Sequence, residues 1–289
     1  DPTDQIIVPG RKILFWRNIA KTKDDLKSHF PAEKDGIDNF FSFIINNNFL
    51  YISYKTKQMT FKELLDIFFK EEELKAILTA PLGSVGLPAV KASALVACVL
   101  YKEFVVDGGY YPKGGIQTFP NLLVNKFKEY NGGLKLSTRV TRIITRNERV
   151  GGIKLNSGEL IQAKVVVSNA DGVSTFSNLL DCDCPEKEKL KKLIPSPSAF
   201  AVYLGLNAKL NSNLNRCSAT WFFDTRDVDK CYLLNYPKRK DINYVFYNFP
   251  ASIDSTLAPQ GKDIVRMFIG CEYEEGSIDK DYIYDRIID

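Results

Sequence analysis

The stretch from Leu134 to Ala163 limits what this chain can fold into more than any other, because short apolar runs alternate there with turn residues. Val140-Thr141-Arg142-Ile143-Ile144 is predicted as a strand, and Arg146-Asn147-Glu148-Arg149 turns the chain. Gly152-Ile153-Lys154-Leu155 returns it. Asn156-Ser157-Gly158 turns it again, and Glu159-Leu160-Ile161-Gln162-Ala163 completes a three-stranded meander. Leu134-Lys135-Leu136 is predicted as a strand ahead of it. Val165-Val166-Val167 differs in kind. It is short, continuously apolar and β-branched, which suits a strand buried on both faces of a parallel sheet.

A helix leads into this region. It begins at Thr118 or Phe119, with Pro120 in the first turn, where a missing N–H does no harm. Phe119, Leu122, Leu123, Phe127 and Tyr130 fall at helical spacing and predict a buried stripe, and Gly132-Gly133 predicts a left-handed cap.

Residues 1–107 form a block expected to be largely helical. Two strands flank a Pro9-Gly10 turn at its start. A helix follows with Thr22 as its expected cap, and Pro31 begins another whose buried face is Ile37, Phe40, Phe41 and Ile44. Thr60-Phe61-Lys62-Glu63 has the form of a capping box, ahead of Phe61, Leu64, Leu65 and Phe68 at helical spacing. Residues 76–101 are the most apolar part, but Pro81, Gly83, Gly86, Pro88 and Lys91 interrupt them. The unbroken piece from Ala92 to Tyr101 is about half of the roughly twenty residues that a membrane span requires. A buried helix is the plain expectation, and an apolar wall touching a membrane surface is the sharper one.

After a charged helix over roughly 186–194, residues 181–289 carry strand-like runs at 199–206, 219–223, 244–249 and 264–269, which predict one broad, largely antiparallel sheet. Ile278 to Tyr282 resembles the start of a helix.

Composition excludes several classes of function. The chain has 289 residues, 45% hydrophobic, and 39 basic against 35 acidic residues leave a net charge of +4, too mild an excess to argue for nucleic acid. His29 is the only histidine, and no Cys-x-x-Cys pair occurs among six cysteines, so no metal site is expected. Ordinary thiols and the lack of a signal-peptide pattern point to the cytoplasm, with peripheral membrane contact through 76–101.

Gly109-Tyr110-Tyr111-Pro112-Lys113-Gly114-Gly115 has two glycines at phosphate-loop spacing, but Gly115 stands where that loop needs lysine, and no Gly-x-Gly-x-x-Gly occurs anywhere. Together with the helix and meander C-terminal to it, the stretch resembles something else. Tyr110-Tyr111-Pro112-Lys113-Gly114-Gly115-Ile116-Gln117, the Gly-Gly turn, Arg139-Val140-Thr141-Arg142-Ile143, Gly151 to Gly158 and Ala163 to Asp171 are similar, in order and spacing, to the middle of the phytoene desaturase family of FAD-dependent oxidoreductases, which includes carotenoid isomerases and retinol saturases. A weaker likeness covers Ile7 to Gly10, His29-Phe30-Pro31 and Asp35-Gly36-Ile37.

The resemblance implies a mixed α+β and α/β fold, the middle section of a two-domain enzyme. Residues 108–180 would be a cofactor-domain segment with a partial sheet, and residues 1–107 and 181–289 would shape the substrate domain. It implies that the Val140 backbone meets the adenine end of FAD. Ser168, Asn169 and Ala170 would pass near the diphosphate or ribityl region, and Gly114 and Gly115 would allow close packing beside the flavin. Core strand for Val140 and helix cap for Asn169-Ala170-Asp171 are the plain structural alternatives. The family's dinucleotide fingerprint is absent, so this chain is expected to bind FAD weakly and to be inactive by itself. The expected chemistry is hydride exchange with a flavin, ending in desaturation, saturation or isomerisation of a long apolar isoprenoid. No acid or base stands out as catalytic. An amine-oxidase-like flavoenzyme and a non-enzymatic isoprenoid-binding module remain open as alternatives.

Overall fold

The computed structural model describes residues 2–147, 149–194, 196–210, 217, 219–232, 242–271, 284, 285 and 287. The expectation for Ile278 to Tyr282 falls outside them. The chain divides into two compact units, Asp1–Thr118 with Ser196–Asp289, and Phe119–Pro195.

The first unit opens with strands β1 (Pro2–Val8) and β2 (Arg11–Trp16), joined at Gly10, whose φ of 78° suits glycine. Helix α1 (Ile19–His29) is capped by Asn18, whose Oδ1 accepts from the Ala20 amide at 2.9 Å. Thr22, the cap expected from sequence, is fully buried instead. Its hydroxyl accepts from the Trp16 amide and donates to the Trp16 carbonyl. The asparagine four residues earlier serves as the cap because the helix starts sooner than its first acids suggest.

Helix α2 (Lys34–Asn46) buries Ile37, Phe40, Phe41 and Ile44, as its spacing predicts. Helices α3 (Phe49–Thr56), α4 (Phe61–Phe68) and α5 (Glu72–Thr79) follow. The capping box of α4 is formed: Thr60 Oγ1 accepts from the Glu63 amide, and the Glu63 carboxylate accepts from the Thr60 amide at 2.7 Å. Pro81 and the glycines after it break the apolar stretch into a short turn at Ala80–Ser84 and helix α6 (Ala94–Leu100). No helix among the described residues is long and apolar enough to cross a membrane.

In the second unit, α7 (Thr118–Glu129) leads to the meander β3 (Val140–Arg146), β4 (Arg149–Leu155) and β5 (Leu160–Gln162). Both pairs are antiparallel, so the meander stands as its turns predict. Three expectations fail here. The α7 stripe is not buried: Phe119 is 59% and Tyr130 76% exposed. Leu134-Lys135-Leu136 forms no strand. Val165-Val166-Val167 is no strand either, with Val165 75% and Val167 91% exposed. A strand buried on both faces needs neighbours on each side. The described sheet of this unit ends at Gln162 and supplies none. The residue with left-handed backbone after α7 is Asn131, at φ 59°, not Gly132. Short helices α8 (Gly172–Ser174) and α9 (Pro185–Leu190) complete the unit.

The first unit resumes with β6 (Ser198–Leu206), β7 (Ala219–Phe223), α10 (Val228–Tyr232), β8 (Tyr244–Asn248), α11 (Pro250–Ile253) and β9 (Asp263–Cys271). The four strand-like runs of residues 181–289 all become strands. They join β1 and β2 in one six-stranded sheet of order β2-β1-β7-β8-β9-β6, antiparallel except for the β1–β7 pair. One face of this sheet packs on the helices. Ile6, Phe15, Trp221 and Phe246 share a continuous core with Phe40, Phe61 and Tyr101. Apolar burial on this scale is the main stabilising term of the unit.

Candidate ligand-binding site

Strand registers place Asp4 opposite Ala219, Ala219 opposite Asn248, Asn248 opposite Arg266, and Arg266 opposite Tyr203. These five residues therefore form one row across β1, β7, β8, β9 and β6. Four strand spacings of about 4.8 Å make the row about 19 Å long. Paired residues point to the same face of a sheet, and this is the face that carries Trp221 and Phe246.

Two cavities lie over the row. One, of about 350 Å³, is walled by Asp4, Phe15, Ala219, Trp221, Phe246 and Asn248 below, and by Pro81, Leu100, Phe104, Tyr110 and Tyr111. The other, of about 530 Å³, is walled by Asn248, Arg266, Tyr203 and Ile264 below, and by Tyr111 with the Gly114–Gln117 turn. They share Tyr111 and Asn248, so together they follow the row from end to end. The lining is mainly aromatic and aliphatic, with a few polar groups set into it, which is the usual make-up of a small-molecule site.

Those polar groups are distinctive. Asn248 Oδ1 is buried and accepts no hydrogen bond. Among the described residues Arg266 enters no ion pair, and its guanidinium lies 5.4 Å from the centre of the Phe268 ring. Desolvation raises the pKa of half-buried Asp4, against hydrogen bonds from the Thr3 and Trp221 side chains that pull it down. A further cavity of about 430 Å³ beside α4, α5 and α10 is walled by groups of mixed charge, including Lys62, Lys75, Glu72 and Asp227. Lys75 pairs there with Asp66 and Glu72, each at 2.5 Å, so these charges satisfy one another.

The residues singled out from sequence divide between the units. Gly114 and Gly115 line the larger cavity of the first unit. Both have left-handed backbone, φ 83° and 90°, and a Cβ on Gly115 would meet Leu257 Cδ2 at 2.8 Å. Val140, Ser168, Asn169 and Ala170 lie in the second unit. Val140 opens β3, half-buried and paired with Leu155. Ser168, Asn169 and Ala170 are exposed. Ser168 Oγ lies 2.8 Å from Thr175 Oγ1, and Asp171 caps α8 by accepting from the Ser174 amide at 2.7 Å. Asp4, Asn248, Arg266 and Tyr203 carried no motif. Strand alternation could have put each on one face of its strand, but only the register aligns them.

No known family profile matches the chain. Individual relatives do. A zeta-carotene-forming phytoene desaturase of Myxococcus xanthus is 26% identical over 212 residues, covering 73% of this chain and 40% of that protein. A chloroplastic prolycopene isomerase of Daucus carota is 26% identical over 302 residues, covering 93% of this chain and 48% of its own length. The chain is thus similar to phytoene desaturases and prolycopene isomerases. It spans about half the length of the curated relatives it matches. The fold agrees: an oxidoreductase from Methanosarcina mazei superposes with a TM-score of 0.65 over 99% of this chain and 63% of its own, at 17% identity. The cross-sheet row and its two cavities are the one elongated apolar site among the described cavities.

Proposed function

We propose that this chain is the substrate-binding portion, with a threaded segment of the cofactor domain, of an FAD-dependent oxidoreductase acting on a long apolar isoprenoid. The observation that carries this is the pair of cavities joined at Tyr111 and Asn248 along a row about 19 Å long. An elongated, aromatic-lined space suits an extended polyene better than a compact amine.

On this reading the second unit would hold part of FAD. Val140 would meet its adenine end and Ser168 to Ala170 its diphosphate or ribityl part. When bound, the flavin would accept or return the hydride. This chain's own residues would hold the isoprenoid straight, exclude water and present it. The exposed apolar residues Phe119, Leu122, Val165 and Val167 support the cofactor-domain assignment. An apolar face of this kind calls for a cover, and the reading assigns that cover to sequence present in the relatives beyond the matched part. Peripheral lipid contact through 76–101 belongs to the same proposal. Val96 and Val99 of α6 stay exposed while Leu100 and Pro81 line the smaller cavity, so this segment could pass an apolar molecule from a lipid surface inward.

The test is titration of the chain with a carotenoid polyene in mixed micelles, read by tryptophan fluorescence. Saturable quenching is expected, and it should disappear in Trp221→Phe because Trp221 lines the cavity. Absence of saturable quenching, or its survival in that variant, overturns the reading.

A further inference from the structure

The two edges of the six-stranded sheet are finished differently. At the β2 edge, side chains of α1 take the outward amides: the Leu14 N–H donates to Asp25 Oδ2 at 2.9 Å, and the Trp16 N–H to Thr22 Oγ1 at 2.8 Å. Arg11 and Lys12 add charge to that strand. The β6 edge has neither device. Its nine residues include no charged side chain and no proline, and they pair with β9 from Ser198 to Leu206 without a break in register. Among the described residues β9 is its one strand neighbour, and no side chain bonds to its backbone. In an antiparallel strand alternate residues point their N–H and C=O groups away from a given neighbour, so β6 presents a free row of them on its outer side. A long, regular, uncharged edge of this kind is a template for another strand.

The side chains of β6 suit one partner, the same strand of a second copy. Full antiparallel overlap of two β6 strands puts the two-fold axis at Val202. Phe200 of each copy then stands opposite Leu204 of the other, which continues the half-buried apolar row of this strand across the contact. On the other face Ala201 stands opposite Tyr203, and Ala199 opposite Gly205. All four are exposed, and Tyr203, 74% exposed, gains the small Ala201 of the second copy to lie against. No like charges meet anywhere along the overlap.

We infer that β6 is a dimerisation edge, at which two copies of this chain pair about Val202 and join their sheets into one. Such a contact uses the same surface on both copies and therefore closes on itself. It also reaches the larger cavity. Tyr203, Leu204 and Gly205 wall that cavity at the sheet edge, so the second copy extends its floor. The inference does not depend on what the cavity holds.

The experiment is sedimentation velocity of the chain over a concentration series, where a reversible dimer is expected. Ala201→Lys combined with Tyr203→Lys sets lysine opposite lysine across the axis, and the dimer should be lost. Glutamate at the same two positions should also abolish it, and mixing the two double variants should restore a dimer with one copy of each. Both positions are exposed, so the substitutions leave the buried face of β6 untouched. A wild type that stays monomeric, or a dimer that survives in either double variant, overturns the inference. Loss of the dimer in both variants without recovery on mixing overturns it too, because the strands would then not be facing each other.

Discussion

The backbone amide of Gly114 donates to Asp254 Oδ2 at 2.6 Å, across 140 residues of sequence. Asp254 also accepts from the Thr256 hydroxyl and amide, and these bonds, that of the Thr256 side chain first, hold its carboxyl below the usual carboxylate range. The tyrosine-glycine turn that walls the larger cavity is thereby tied to the end of α11. A carboxyl with a lowered pKa stabilises the fold fully above the ordinary carboxylate range, and that contribution is lost as pH falls through its lowered value. Asp254→Ala is expected to speed hydrogen exchange at the Gly114 amide at neutral pH, and acidification of the wild type should do the same. Unchanged exchange in the variant would show that the turn is held by other contacts.

Tyr101 is fully buried, and its hydroxyl donates to the Leu78 carbonyl. Burial pushes its pKa well above that of a free tyrosine, and the same holds for Tyr232, which donates to the Ala80 carbonyl at 2.9 Å. For groups of this kind, stability is complete below the ordinary tyrosine pKa of about 10 and falls as pH rises beyond it. Denaturant midpoints measured from pH 8 to 11 should stay level and then drop. Tyr101→Phe should lose about 1 kcal/mol at pH 8 and show a shallower alkaline fall.

Phe40 lies 5.3 to 6.4 Å, centre to centre, from the rings of Phe41, Phe61, Phe68, Phe69 and Tyr101. Phe40→Ala should destabilise the first unit by about 4 kcal/mol, the combined loss of transfer energy and cavity formation. Thr60→Ala, which removes only the α4 cap, should cost about 1 kcal/mol. Urea unfolding of the two variants side by side checks the ratio, and equal losses would mean that the aromatic cluster relaxes around the gap.

Gly83 leaves room for the Trp221 ring. A Cβ built there would meet Trp221 Cζ3 and Cη2 and the Tyr232 hydroxyl. Gly83→Ala should push the indole toward the cavity it lines, destabilise by about 1–3 kcal/mol, and shift the Trp221 emission. It should also weaken binding of any molecule that quenches Trp221. An unshifted spectrum would place the strain on Tyr232.

Local signals were legible without coordinates wherever the cause was local. The Thr60–Glu63 box, the Pro9-Gly10 turn, the α2 face and the turns of the meander depend on residues within one or two turns of chain, and each forms as its sequence predicts. The late strand runs were visible for the same reason. Thr22 shows the limit of such signals. Threonine before acids is a cap pattern, but burial against β2 put its hydroxyl on Trp16 and left the cap to Asn18.

What the sequence determined by itself was most of the elements, their order and the family likeness, since periodicity and turn chemistry act over a few residues. Tertiary structure decided which of those elements are covered. Phe119, Leu122, Val165 and Val167 carry an interior pattern, yet they stay exposed because burial needs a partner surface and the described part of their unit supplies none. Tertiary structure also decided the groove. Asp4, Asn248 and Arg266 lie far apart in sequence, and the register of β1, β7, β8 and β9 sets them in line, because hydrogen-bonded strands fix position across a sheet that no single strand encodes.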